Sequence, residues 1–299
     1  MTGTGAALPS APKQFVPPQA GEVITSLETG NSYTIGTKIG EGNFGFVFAC
    51  QDVWQNELAV KVLKPQGRTY DQVRAAALSE LEKLVQLRNP FITFVYDAFE
   101  YRDTFYIITE RCACSVNDLF TIPNFNGKLW ILPIARCILQ GVHFLHINAY
   151  AHQDIHPGNV FAAVVKDELV LTNPGETKFK LGDLGVAKVF GHLSATNTRA
   201  EWMLPPEVLN LAEFGVIDHR SDMYHLGLLF LQLGYSKMLR FEKQEILAGK
   251  PREMALALPP PYNFALEKTL RRHVDKRTAN AMELWRDLHT PTGQPPSQV

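Results

Sequence analysis

Five polar residues crowd the stretch HQDIHPGNVF, residues 152 to 161: His152, Gln153, Asp154, His156 and Asn159. Several readings are open. Imidazoles with a carboxylate can hold zinc, which takes His or Cys ligands at closed spacing. Carboxylate and amide oxygens instead suit magnesium, a hard cation that keeps several of its waters. The segment also reads as an ordinary polar turn. His152 and His156 have the spacing that shares a helix face, but Pro157 and Gly158 argue against a helix there, which disfavours zinc. Asp183, in KLGDLGVA, adds a second carboxylate and completes an all-oxygen donor set with Asp154 and Asn159.

Phosphate chemistry would need further partners, and the chain offers two. In IGEGNFGFV, Gly40, Gly42 and Gly45 have G-x-G-x-x-G spacing, with Val47 following. Dinucleotide sites share that spacing, but theirs opens a helix. Here FGFVFACQ reads as a strand, so the glycines sit in a strand–turn–strand hairpin, where a missing Cβ lets backbone approach a ligand closely. A plain hairpin turn is the other reading. Lys61 interrupts the apolar strand ELAVKVLK, and a buried ammonium needs an anionic partner. The next helix offers Glu80 and Glu82, of which one can face the apolar stripe; an exposed lysine on an edge strand is the alternative.

Two kinds of element must position these residues. From Tyr33 to Glu110 short β-branched or aromatic runs dominate: YTIGTKIG, FGFVFACQ, ELAVKVLK, TFVYDAF and TFYIITE. One helix interrupts them, DQVRAAALSELEKLVQL, with Val73, Ala77, Leu81, Leu84 and Leu87 at helical spacing. From about Lys128 helices dominate, including KLWILPIARCILQGVHFLHINA and SDMYHLGLLFLQLG, apolar enough to be buried all round. Residues 160 to 181 read as a hairpin turning at TNPGE. The expected fold class is α+β and bilobal. A small antiparallel sheet with one helix spans 31–110, a larger mainly helical part spans 115–288, and residues 111 to 114 join them. Residues 1–30 and 289–299, rich in Gly, Pro, Ser and Thr, read as tails, the first mostly disordered.

The bulk numbers exclude several classes. With 299 residues, 45% apolar content and a formal net charge of −1, the chain reads as a soluble globular protein with no basic field to attract nucleic acid or membrane. Cys50, Cys112, Cys114 and Cys137 make no disulfide framework and read as reduced thiols. No run was expected to reach the roughly 18 to 20 apolar residues of a membrane span, and the N-terminus has no signal-peptide pattern. The expected compartment is the cytosol. Oligomeric state is not set by anything in the sequence.

Over about residues 33 to 288 the motifs follow the order of the eukaryotic-type protein kinase family, which the chain resembles. GEGNFGFV is similar to its glycine-rich phosphate loop, and AVK places Lys61 as the ATP-anchoring lysine. Glu80 stands ten residues before PFI, where the family has the ion-pair partner. ITERC resembles the last small-lobe strand and hinge, with Thr109 as gatekeeper and Glu110 and Cys112 beside it. HQDIHPGN resembles the catalytic loop, with Asp154 as base and Asn159 as metal ligand; DLG places Asp183 as the main metal ligand. PPE gives Glu207, SDMYHLG gives Asp222 as the buried aspartate behind the catalytic loop, and DKR gives Arg277 as partner of Glu207. The resemblance implies ATP and Mg2+ as cofactors and a protein substrate, with adenine between Val47 and Ala59 above and Phe161 below.

The pattern also departs. Gln153 replaces the arginine that normally pairs with a phosphorylated activation loop, which makes control by phosphorylation of Ser194, Thr196 or Thr198 less expected. His156 occupies the place of the lysine that touches the transferring phosphate, and imidazole is only partly charged near neutral pH. Leu184 keeps an apolar contact where the family has phenylalanine. The loop DELVLTNPGE is longer than usual. The expected activity is therefore transfer of phosphate from ATP to Ser or Thr of a protein. A pseudokinase scaffold is the first alternative, and a small-molecule kinase resembling aminoglycoside phosphotransferases is the second, since H-x-D-x-H-P-x-N also resembles their loop.

Overall fold

The structure is a computed structural model that describes residues 16–42, 45–64, 67, 69–165, 175–184, 187–193 and 201–289. Two compact units divide it: Met1–Gln86 with Phe94–Arg111, and Leu87–Thr93 with Cys112–Val299. The first is a six-stranded antiparallel sheet with one helix, the second mainly helical, so the class is α+β.

In the first unit the strands are β1 (Val23–Thr25), β2 (Ser32–Glu41), β3 (Gly45–Asp52), β4 (Glu57–Leu63), β5 (Val95–Tyr101) and β6 (Thr104–Glu110), in spatial order β1-β2-β3-β4-β6-β5. Side chains alternate across such a sheet. One face carries Tyr33, Ile35, Phe48, Cys50, Leu58, Val60, Val62, Phe99, Tyr106 and Ile108, a closed apolar cluster. Burial there pushes the Cys50 thiol up to about 12, so it stays a protonated, inert packing group.

The opposite face is less apolar. Gly40 pairs with Val47, Val47 with Lys61, and Lys61 with Ile107; the next rung is Ala49, Ala59 and Thr109. Helix α1 (Tyr70–Gln86) packs Val73 and Ala77 against Leu63 and Phe105 at the end of this face.

The second unit is built on α3 (Ile131–Ile147) and α6 (Arg220–Tyr235), after a short α2 (Val116–Leu119) and a 3-10 turn at Gly127–Trp130. Strand β7 (Cys114–Ser115), the pair β8 (Tyr150–Ala151) and β11 (Lys188–Val189), and the hairpin β9 (Val160–Val165) and β10 (Glu176–Leu181) lie within it. The short helices α4 (Pro206–Leu209), α5 (Leu211–Phe214), α7 (Lys243–Ala248) and α8 (Lys250–Leu256) follow, with α9 (Tyr262–Thr269) and α10 (Ala281–His289). Every residue of α6 from Ser221 to Gly234 is buried, as its unbroken apolar pattern requires.

Four sequence expectations need correction. The first 30 residues are not all tail: β1 pairs Val23–Thr25 with Ser32–Thr34, and Ile24 and Ser26 are fully buried. Asp97 fastens this strap by accepting hydrogen bonds from Thr29 Oγ1 (2.8 Å) and Tyr33 Oη (3.0 Å). Leu87–Thr93 belongs to the helical unit rather than to the sheet, because Thr93 N donates to Leu181 O and Leu181 N to Phe91 O, both at 2.8 Å. Cys114 and Ser115 are not a plain connection; they pair with Ala162 and Phe161. Finally, one helix among the described residues, Gly127–Ile147, is long and apolar enough to cross a membrane by length and composition alone. It serves as a core helix: Ile131, Ile134, Ile138, Val142 and Leu145 are fully buried within the unit. Residues 290–299, Ser194, Thr196 and Thr198, and the turn of the 160–181 hairpin lie outside the described residues.

Candidate functional site

The sheet unit carries the glycines and the lysine. Gly42 N donates to Gly45 O (3.0 Å), closing the β2–β3 hairpin. The three glycines differ in kind. A Cβ on Gly45 would lie 2.3 Å from Val62 O, so the strand pairing itself forbids one there. A Cβ on Gly42 would meet nothing within 4 Å, and one on Gly40 would meet only Val47 at ordinary contact distance. These two keep backbone bare without any packing need for it, the property a phosphate cradle uses.

Lys61 Nζ lies 2.8 Å from Glu80 Oε1, both side chains largely buried. The stripe Val73–Ala77–Glu80 explains the choice between the two glutamates. Glu80 falls on the face of α1 turned to the sheet, whereas Glu82 is exposed and accepts from Gln86. Desolvation makes a lone buried ammonium costly, and Glu80 offsets that cost. Lys61, Val47, Ala59 and Thr109 share one face of the sheet by register; Glu110 takes a backbone role, its carboxylate and N–H bonding Phe94 N and O.

The helical unit carries the oxygen donors. Asp222, in the first turn of α6, is fully buried and accepts from Gln153 N (2.6 Å), His152 N (2.8 Å) and His146 Nε2 (2.9 Å). Burial alone would raise its pKa. The His146 hydrogen bond and the neighbouring imidazoles outweigh this and hold the carboxyl below the ordinary aspartate range. The charged carboxylate thus fixes two successive backbone N–H groups, and Gln153 takes a left-handed φ of 64°. For a side chain other than glycine this costs roughly 1–2 kcal/mol, sustained here by those bonds.

His152 continues the chain of bonds. Its Nδ1 accepts from Asp154 N (3.3 Å) and its Nε2 donates to Gly182 O (3.0 Å), so both ring nitrogens are engaged in backbone and neither points to a metal. Asn159 Nδ2 donates to Asp154 O (3.0 Å) and Asp154 Oδ2 (3.1 Å), while Gly182 N donates to Asn159 O (2.9 Å). These bonds tie the Asp154 loop to the Gly182–Asp183 step, where Asp183 also has a left-handed φ of 58°. A Cβ on Gly182 would lie 2.4 Å from the Phe161 ring, so the backbone passes flush against Phe161.

His156 is engaged within its own loop. Its Nδ1 accepts from Gly158 N (3.0 Å), and its Nε2 lies 3.8 Å from Asp154 Oδ2. Burial lowers its pKa against the raising effect of Asp154, which further reduces the positive charge it carries near neutral pH. Glu207 and Arg277, both fully buried, form a bidentate pair at 2.8 and 2.9 Å. Ser221 Oγ donates to Glu207, and Arg277 also donates to the carbonyls of Arg220, Arg271 and Arg272.

Sequence reasoning singled out Asp222 but missed its partner His146 and Gly182, the partner of His152. His146 lies in HFLHINA and reads as one more member of an apolar helix; its only signal is its place six residues before His152. Gly182 was passed over because a glycine before an aspartate has many ordinary uses. Cys112 is half-buried just after the sheet unit ends.

Comparison with known proteins places the chain among protein kinases. The chain is 28% identical over 202 residues to serine/threonine-protein kinase TAO2 of Xenopus laevis, covering 67% of this chain and 18% of that protein. It is 28% identical over 213 residues to serine/threonine-protein kinase TAO3 of Pongo abelii, covering 71% of this chain and 22% of that protein. The chain thus spans about a fifth of the length of the curated relatives it matches. The family model described as protein kinase domain matches residues 33–284, most of the chain, and the chain belongs to that family.

Proposed function

We propose that the chain transfers the γ-phosphoryl group of ATP, as its magnesium complex, to serine or threonine hydroxyls of a protein substrate. The observation that carries this reading is the joint presence of the Lys61–Glu80 pair and of Asp154 and Asn159 on a loop fixed by Asp222, with Asp183 following the Gly182 step bonded to Asn159. A module without turnover has no physical need to hold Asp154 and Asn159 in register.

The donor set fits magnesium. Asn159 spends its amide N–H groups on Asp154, which leaves Oδ1 as its remaining acceptor, and Asp183 adds a carboxylate. Asn159 and Asp183 would hold the metal, which when bound neutralises charge on the phosphates. The protein's own part is positioning and electrostatics. Gly40, Gly42 and Gly45 offer backbone to the phosphates, and Lys61, held by Glu80, neutralises them. The family resemblance assigns adenine contacts to Val47, Ala59, Thr109 and Glu110 of the sheet unit and to Phe161 and Cys112 of the helical unit. Asp154 accepts the hydrogen bond of the incoming hydroxyl and aligns it. His156 lies beside Asp154 with its pKa lowered by burial, so it adds less positive charge there than a lysine would.

Thermal denaturation with ATP tests nucleotide use, since a ligand that binds the native state raises the midpoint. We expect a rise with ATP and magnesium, a smaller one with ATP and a chelator, and none in Lys61→Ala. No rise in the wild type would favour the scaffold reading. ATP consumption with a small metabolite and no labelled protein would favour the small-molecule reading, which the loop H-x-D-x-H-P-x-N keeps open.

A further inference from the structure

Beside Arg277, α8, the end of α9 and the segment after it gather cations. Arg252, Arg271, Arg272, His273 and Lys276 line an open cavity of about 260 Å³. The arrangement is built rather than incidental. Glu267, nearly buried, holds two guanidiniums side by side: Arg252 Nε at 2.6 Å, and Arg271 Nε and Nη2 at 3.1 and 3.0 Å. Arg271 is also anchored on Lys276 O (3.2 Å), and Arg272 on Leu247 O (2.7 Å) with its guanidinium over the Phe214 ring.

The charges do not balance. Four fixed cations line the cavity, and the carboxylates paired with them are Glu267 and Asp275. Among the described residues, no acceptor engages Arg272 beyond the Leu247 carbonyl, and none engages the His273 imidazole. An arginine presents five N–H donors in a rigid fork. Two forks held on one carboxylate, a third lining the same cavity and a surplus of two positive charges match a tetrahedral dianion with three free oxygens.

We propose that this cavity binds a phosphoryl dianion. Arg272 and Arg252 would make the direct contacts, Glu267 setting the fork of Arg252 and Lys276 adding charge at the rim. The ligand is either a phosphorylated side chain on a peptide or a free phosphate, and the two share this recognition.

Titration calorimetry on the full chain tests it with three probes: a phosphoserine peptide, the same peptide unphosphorylated, and inorganic phosphate. We expect binding of at least one phosphate-bearing probe and none of the unphosphorylated peptide. Binding of the phosphopeptide alone identifies a peptide partner; binding of inorganic phosphate identifies a free anion. Arg272→Gln should weaken binding at least tenfold. Lys276→Glu, at an exposed position that the fold does not use, should do so even if Arg272→Gln loses stability. Asp183→Ala should leave the affinity unchanged, which separates this cavity from the proposed nucleotide site. No heat from either phosphate probe, equal affinity in Lys276→Glu, or loss of binding in Asp183→Ala would overturn the proposal.

Discussion

Asp222 shows how a single buried charge can organise a loop. It accepts three hydrogen bonds with no solvent contact, two of them from consecutive N–H groups beside Asp154. Asp222→Ala would leave those donors unsatisfied, and about 1–3 kcal/mol for each buried orphan makes this a severe change. Chemical denaturation should show a loss of at least 2 kcal/mol; an unchanged midpoint would contradict the arrangement. Its lowered pKa also has a sign. The stabilisation is fully present above about pH 4, the ordinary aspartate value, and is lost as pH falls from there through the lower native value. His156 acts in the same direction. Its native pKa is lowered by burial, so protonation favours the unfolded chain, and stability falls as pH drops below about 6.5. An NMR titration should place the His156 midpoint below 6.5; a midpoint above it would mean the imidazole is held as a cation. The Lys61–Glu80 pair and the place of Asp222 behind the 152–154 loop were legible, the first because a lysine interrupting an apolar strand needs an anion, the second from the order of the motifs. His146 and Gly182 were not, since a histidine in an apolar helix and a glycine beside an aspartate announce nothing until their contacts are seen.

At the scale of elements, the β2–β3 hairpin separates two uses of glycine. Gly45→Ala must push a Cβ into the Val62 carbonyl, so it should lower the unfolding midpoint and weaken ATP binding together. Gly42→Ala has open space and should keep the midpoint while altering nucleotide affinity. Equal stability losses in both variants would contradict this division. The strap before β2 was misread from composition, because Gly, Pro and Thr usually mark disorder. What composition could not show is that Ile24 is fully buried in the sheet and that Thr29 and Tyr33 converge on Asp97. Deleting residues 1–31 should cost at least the 1.5–3 kcal/mol of burying one isoleucine, read by thermal or chemical unfolding. An unchanged midpoint would restore the tail reading. Conversely, α1 and α6 were readable because their apolar spacing is regular over several turns.

For the whole molecule, the Glu207–Arg277 pair ties α4 to a segment seventy residues later with both side chains out of water. Breaking such a pair strands one buried charge, at about 3–5 kcal/mol. Arg277→Leu should therefore destabilise the helical unit by that order in a denaturant titration, and a loss below 1 kcal/mol would contradict its structural role. The two-unit division was legible from the switch between strand-like and helix-like periodicity near residue 111; the transfer of 87–93 to the helical unit was not, because it rests on backbone bonds to Leu181. The central claim is phosphoryl transfer, and one measurement addresses it directly. The full chain is incubated with magnesium and γ-labelled ATP on a mixture of serine- and threonine-containing peptides, beside Asp154→Asn. The account predicts label on serine or threonine with the wild type and a loss of at least a hundredfold in the variant. Absence of label in both, or equal label in both, would contradict it.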